Sequence, residues 1–316
     1  MTKINRVLVT GGAGFIGSHV VDELVISGAS EVVVVDNFYL GSDKNLANHM
    51  GTVPIYRIDA GDFPSMSEVT RRHSIDTIIN LAVVPLPTSL EFPSWTVSSN
   101  VAIATVASEL LRTGGIGRLV HLSSSEAFGS AIHVPMAEDH PLVPTTPYAA
   151  SKAAGDMIVD SYRRTFDLDA RVVRPFNNYG PRQNAGTYAG IIPIVIDRLS
   201  RGLPIEIFGD GKQTRDFTFV RDSAAAILKI AQLDALPFSL PLNVATGQET
   251  TILSLVKKIA ESMNLAEPEF HFMQERIGDV RRHCADTSAF SDLLGYSIEP
   301  ISVPKLAETA EWYLAK

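Results

Sequence analysis

Apolar residues in the first half of the chain fall into two alternating patterns. Short runs rich in valine and isoleucine at 6–10, 31–36, 53–58, 76–81 and 118–123 read as strands buried on both faces. Between them, at 15–27, 64–73 and 95–113, lie amphipathic segments of helical period. A further helix over 147–166 leads into a strand over 170–174. Strand and helix repeated in this way predict an α/β fold, a doubly wound parallel sheet with helices on both faces. After Pro175 the pattern loosens, and loops rich in Gly, Pro and Asn at 177–190, 208–214 and 237–242 alternate with shorter helices. The expected organisation is one domain over 1–175, to which some later segments return, and a smaller mixed α/β lobe over 176–316.

Composition narrows the function classes. The 316 residues are 45% hydrophobic, and 27 Lys and Arg against 35 Asp and Glu give a net charge of −8. A nucleic-acid binder working through a broad basic surface is not expected from that balance. Cys284 is the sole cysteine, so the chain has no internal disulfide and no cysteine cluster for a metal. Glycines 11, 12, 14 and 17 interrupt the first apolar stretch, and the longest uncharged windows carry Pro, Asn or several Ser. No signal peptide, membrane span or metal site is expected, and the reading is a soluble, cytoplasmic protein.

The first strand runs directly into Gly11-Gly12-Ala13-Gly14-Phe15-Ile16-Gly17, which opens a helix. Glycine spacing alone closes many ordinary loops. Between a strand and a helix it lets backbone N–H groups at Gly14, Phe15 and Ile16 approach a pyrophosphate at the positive helix end, while Gly17 allows close packing. Asp36, followed by Asn37, ends the next strand about twenty residues on, where an acid hydrogen-bonds a ribose 2′-hydroxyl. That combination predicts a Rossmann-type dinucleotide site, and a carboxylate there repels a 2′-phosphate, favouring NAD over NADP.

Tyr148 and Lys152 stand four apart on one predicted helix face. A phenol is a poor base at neutral pH, and a neighbouring cation stabilises its phenolate. Alone the pair equally describes an ordinary surface contact. Upstream, the strand ending at Ser123 delivers Ser124, Ser125 and Glu126 to the carboxyl edge of the sheet, where ligands of open α/β folds collect. A hydroxyl there can share a substrate proton with Tyr148, and a carboxylate can act on a neighbouring carbon.

Together with three further motifs, Arg174 to Arg182 (RPFNNYGPR), Phe208 to Phe217 (FGDGKQTRDF) and Arg276 to Arg281 (RIGDVR), these residues make the chain resemble the extended short-chain dehydrogenase/reductases of the nucleotide-sugar epimerase and dehydratase group. The resemblance runs nearly end to end. It implies Tyr148 as the base, Lys152 as its pKa-lowering partner and Ser124 as the second hydroxyl. Asp59 and Ala60 would border the adenine, with Leu81, Ala82, Asn100 and Ser123 along the cofactor path. Asn177, Arg182, Arg215 and Arg276 would hold the diphosphate and nucleoside of a UDP- or dTDP-hexose, a task suited to guanidinium forks. The group shares a 4-keto intermediate. Glu126 places the chain nearer the 4,6-dehydratases, where such an acid removes the C5 proton, with Ser125 in place of a stronger donor. The stretch 276–287 is nearer the 4-epimerases, which remain the alternative, ahead of a decarboxylase, a non-sugar reductase and a non-catalytic NAD sensor. Apolar residues in excess of one face on 95–113 (Val97, Val101, Ile103, Val106, Leu110, Leu111) and on 147–166 (Met157, Ile158, Val159, Tyr162, Phe166) add the expectation of a homodimer.

Overall fold

Valine-rich strands build a seven-stranded parallel sheet. The computed structural model describes residues 4–185, 190–235, 241–275 and 281–315. In chain order the elements are β1 (Arg6–Thr10), α1 (Phe15–Ile26), β2 (Glu31–Val35), β3 (Ile55–Tyr56), α2 (Phe63–Arg72), β4 (Thr77–Asn80), α3 (Leu86–Glu91), α4 (Pro93–Arg112), β5 (Arg118–Leu122), α5 (Pro147–Phe166) and β6 (Ala170–Pro175). They continue as β7 (Asn177–Tyr179), α6 (Ile191–Ser200), β8 (Ile205–Phe208), β9 (Thr214–Arg215), β10 (Phe217–Phe219), α7 (Val220–Gln232), β11 (Leu242–Val244), β12 (Thr250–Thr251), α8 (Ile252–Ser262), β13 (Phe270–Met273), α9 (Ser288–Leu294) and α10 (Val303–Leu314).

The chain divides into two compact units. The first comprises the described residues of Met1–Phe128, Leu142–Arg174 and Ala224–Leu242. Its sheet runs β3-β2-β1-β4-β5-β6-β11. Pairing is parallel, with Leu8 opposite Val33 on one side and Ile78 on the other, and all three side chains are fully buried. Helices on both faces explain why these strands are apolar throughout rather than alternating. The chain leaves β1 for β2 on one side, and β4 lies on the other. The carboxyl ends of β1 and β4 therefore flank the point where the connections diverge, the usual ligand position in open α/β sheets. One core cluster under this sheet joins Leu8, Val33, Ile78, Ile103, Leu110 and Leu119.

The second unit comprises the described residues of Gly129–Pro141, Pro175–Ser223 and Asn243–Lys316. It holds three two-stranded pairings, β7 with β10, β9 with β12 and β8 with β13, around a separate core that includes Tyr179, Ile196, Phe217, Phe219, Leu255 and Leu306. No helix among the described residues is long and apolar enough to cross a membrane.

Helix α3 starts on a proline: Pro87 sits in its first turn, where its missing N–H costs nothing, and Thr88 and Ser89 are buried. Two expectations need correction. The third strand is only Ile55–Tyr56, an edge strand preceded by Pro54, whose carbonyl still accepts from Val34 N. Residues 129–141, assigned to the first domain, pack with the second unit. Met136 N donates to Cys284 O, Asp286 N to Met136 O, and Asn243 N to Glu138 Oε1.

Candidate active site

The turn after β1 is shaped by close approaches that only glycine permits. Gly11 has φ +66° and its N–H donates to Val35 O at 2.8 Å. A Cβ on Gly17 would lie 2.1 Å from Gly11 O, so the first turn of α1 folds directly onto the loop. Gly14 opens α1 without a side-chain cap, which leaves the N–H groups of Phe15 and Ile16 at the positive helix end for an anion. Beneath the turn, Thr10 Oγ1 accepts from Leu81 N and Ala82 N at 3.0 and 3.1 Å and donates to Asn80 Oδ1 at 2.6 Å. Asn80 continues to His121 Nδ1 at 3.0 Å. This buried chain sets the ends of β1 and β4 side by side.

Asp36 is 7% exposed and holds the loop that follows β2. Its Oδ2 accepts from Ala13 N at 2.9 Å and its Oδ1 from Phe38 N at 2.7 Å, tying the glycine turn to that loop. Burial lifts its carboxyl above the usual carboxylate range, against the pull of those N–H groups and the Arg57 cation. Each oxygen keeps acceptor capacity for ribose hydroxyls. Asn37 Oδ1 accepts from Tyr39 N, Asp59 Oδ1 accepts from Gly61 N, and Ala60 is buried. A glycine cradle, a bare helix N-terminus and this acid fit a dinucleotide. Asn100 exchanges two hydrogen bonds with the Val84 backbone and donates to Ser151 Oγ, so it braces the 84 loop against α5.

Ser124, Ser125, Glu126, Tyr148 and Lys152, the residues expected to handle protons, all lie in the first unit. Ser123 ends the buried run of β5, Ser124 follows, and Ser125–Phe128 form a short 3-10 turn. Thr146 caps α5 by accepting from Ala149 N, which fixes the helix two residues before Tyr148. Tyr148 is half-buried. Burial pushes the phenol up to about 12, the nearby Ser124 hydroxyl opposes this, and the carboxylates of Glu126 and Asp156 reinforce it. Ser125 is 4% exposed and Glu126 is partly exposed, with Ser124 Oγ accepting from Glu126 N.

Lys152 is 6% exposed, and its ammonium donates to the carbonyl of Leu122 on β5. Burial brings its pKa down to about 8, with Asp156 favouring the charged form. Ser123 donates to Asp156 Oδ2 at 2.6 Å.

In the second unit, β7 and β10 pair Asn177 with Phe217, and Asn177 N donates to Asp216 O at 3.1 Å. The Asn177 Nδ2 is buried without a partner among the described residues. Arg182 closes the turn after β7 with φ +68°. Arg215, partly buried on β9, donates to Thr214 O. Arg276 lies outside the described residues. Sequence reading passed over Asp216, which is fully buried. Its carboxylate accepts from Thr246 N and Oγ1, Gly247 N and Ala285 N, and thereby fixes the strand on which Arg215 sits. The available signal was an acid between an arginine and an apolar strand.

Known proteins share this fold. The sequence pattern of the NAD dependent epimerase/dehydratase family matches residues 7–244. The chain is 34% identical to a UDP-glucose 4-epimerase of Mycolicibacterium smegmatis, over 98% of this chain and 99% of the relative. It is also 34% identical to a dTDP-glucose 4,6-dehydratase of an Actinoplanes species, over 98% of each chain. The crystal structure of the dTDP-glucose 4,6-dehydratase DesIV from Streptomyces venezuelae, which has NAD bound, superposes with a TM-score of 0.87 at 30% identity, covering 98% of this chain and 97% of that one. A match from the first strand to the last strand of the sheet, and relatives aligned over nearly the full length, make this protein an NAD-dependent enzyme of the epimerase/dehydratase family.

Proposed function

We propose that the protein is a nucleoside-diphosphate-hexose 4,6-dehydratase of the cytoplasm. The observation that carries this reading is the Glu126 carboxylate, placed on the turn next to Ser124 and within electrostatic reach of the Tyr148 hydroxyl. NAD, when bound, supplies reversible oxidation of a sugar carbinol. The residues that would hold it are the N–H groups of the 11–17 turn, Asp36, Asp59 with Ala60, and Leu81 with Ala82. Tyr148, with the Ser124 hydroxyl near enough to affect its titration, takes the C4 hydroxyl proton as that carbon is oxidised. The resulting ketone would acidify C5–H, Glu126 would remove that proton, and the C6 hydroxyl would leave as water with a proton relayed through the Ser125 hydroxyl. Balance then requires the hydride taken from C4 to return at C6 and Glu126 to deliver a proton, by then exchanged with solvent, to C5. Asn177, Arg182, Arg215 and Arg276 are the proposed ligands of the diphosphate and nucleoside.

A second reading, a 4-epimerase, draws on the equal identity to the UDP-glucose 4-epimerase. There the keto sugar would turn over in the site, and Glu126 would only position it. Incubation with UDP-, dTDP-, GDP- and CDP-hexoses, followed by mass spectrometry, separates the two: loss of water supports dehydration, and an unchanged mass with inverted C4 supports epimerisation.

The same proposal includes a homodimer. Ile103, Val106, Leu110, Leu111 and Val159 turn into the core of their own unit. Trp95, Met157 and Phe166 remain 41%, 61% and 47% exposed along α4 and α5, and Val97, Val101 and Pro147 line a shallow apolar depression beside them. Light scattering at micromolar concentration should give twice the chain mass; the mass of one chain would remove the dimer.

A further inference from the structure

A buried ion pair brackets the segment that carries the proposed catalytic hydroxyls and carboxylate. Asp156 lies one helical turn beyond Lys152 and two beyond Tyr148, so the three share one stripe of α5. Its Oδ2 accepts from Ser123 Oγ at 2.6 Å and from Arg174 Nη2 at 2.7 Å. Arg174, at the end of β6, lays its guanidinium 4.1 Å from the centre of the Phe128 ring. The pair thus grips residue 123 by hydrogen bond and residue 128 by a cation–π contact, with Ser124, Ser125 and Glu126 between them.

We propose that Asp156 and Arg174 are positioning residues of the proton-transfer centre, setting the 123–128 segment against Tyr148 and fixing the electrostatic field at Lys152. This rests on the proton-transfer role given above to Tyr148 and Ser124, and is independent of the choice between dehydration and epimerisation.

Stability alone gives little reason for the pair. The two side chains are 1% and 5% exposed. Taking two charges out of water costs several kcal/mol per ion, and packed apolar substitutes for a whole buried pair are often neutral or stabilising. Asp156 Oδ1 and Arg174 Nη1 are buried with no hydrogen-bond partner among the described residues, so the desolvation is offset incompletely.

The charges around the centre give the pair its leverage. Tyr148 and Asp156 come from α5 itself, His121 and the Leu122 carbonyl from β5, Glu126 from the 3-10 turn and Arg174 from β6. Burial, aided by the Lys152 cation, holds His121 well below its ordinary range, so it contributes no charge. Asp156 favours the charged form of Lys152. Replacing it with an amide leaves Arg174 as an uncompensated cation, and the field at both Tyr148 and Lys152 turns positive. Both groups should then release protons more readily.

The test compares Asp156→Asn, Asp156→Glu and the double variant Asp156→Leu with Arg174→Met in the NAD-saturated enzyme. Thermal unfolding reports the fold and fluorescence quenching the NAD affinity. Tyr148 ionisation is read as the tyrosinate absorbance lost on adding Tyr148→Phe to each background. We expect the double variant to unfold at or above the wild-type temperature and to keep its NAD affinity. Its turnover should nevertheless fall by about tenfold or more, the scale of a misplaced proton-transfer group. Asp156→Asn should lower the Tyr148 titration by about one pH unit, a tenfold change in proton affinity, and Asp156→Glu should restore it. A double variant with wild-type turnover, or an unmoved Tyr148 titration in Asp156→Asn, would overturn the proposal. If the wild type turns over no sugar nucleotide, the functional reading fails while the titration still decides this one. If Asp156→Asn does not fold, the decision passes to the turnover of the double variant.

Discussion

Lys152→Met should make the protein more stable at neutral pH. The ammonium is 6% exposed, and its pKa falls from 10.5 to about 8. That fall corresponds to about 3 kcal/mol of penalty on the charged form in the folded state. Methionine fills a similar volume without charge but leaves the Leu122 carbonyl without its donor, a loss of about 1–2 kcal/mol. The net gain at about pH 7 is then about 1–2 kcal/mol, a rise of a few degrees in unfolding temperature. For a base whose folded pKa is lowered, the unfolded chain binds more protons between the two pKa values, so wild-type stability rises with pH across that window. Between about pH 7 and pH 9.5 the wild type should gain about 2 kcal/mol on the variant, and the difference should close. Urea midpoints of both proteins at the two pH values test this. A variant that is less stable at both, by the same margin, would show that Lys152 is not a buried charge under penalty.

Tyr148→Phe should keep the fold and NAD affinity while turnover drops by about a hundredfold to ten-thousandfold, the usual worth of a positioned acid–base group; near-normal turnover would mean another base. Gly17→Ala puts a Cβ 2.1 Å from Gly11 O, so NAD binding by calorimetry should be lost and the protein destabilised. An overpacked contact of this kind costs about 1–3 kcal/mol. Asp36→Ala frees the N–H groups of Ala13 and Phe38 and removes the charge facing a 2′-phosphate, so the preference for NAD over NADP should narrow. An unchanged NAD-to-NADP ratio of dissociation constants would place the discrimination elsewhere.

Local patterns carried much of this structure into the sequence. The glycine turn, the buried valine strands and the four-residue step from Tyr148 to Lys152 are short-range features, and helical or strand period decodes them. What the sequence hid depends on distant contacts. The apolar pattern assigned no element to Pro85 and Pro87, yet a proline in the first turn starts α3. Residues 129–141 join the second unit through Met136, Ala285 and Asn243, more than a hundred residues away. Spacing placed Lys152 one turn from Tyr148 but gave no sign that its four-carbon stem reaches the Leu122 carbonyl. The Asp156–Arg174 pair left one legible trace, an arginine at the end of the wholly buried strand β6, where a charge requires a partner.

The most direct test of the proposed chemistry is the reaction of the wild-type enzyme in deuterium oxide with the nucleotide hexose it turns over, read by mass spectrometry and proton NMR. A dehydratase that uses Glu126 at C5 should give a product lighter by water, with solvent deuterium at C5, and Glu126→Gln should stop both changes. A product of unchanged mass, inverted at C4 and unlabelled at C5, would contradict dehydration and make the protein a 4-epimerase.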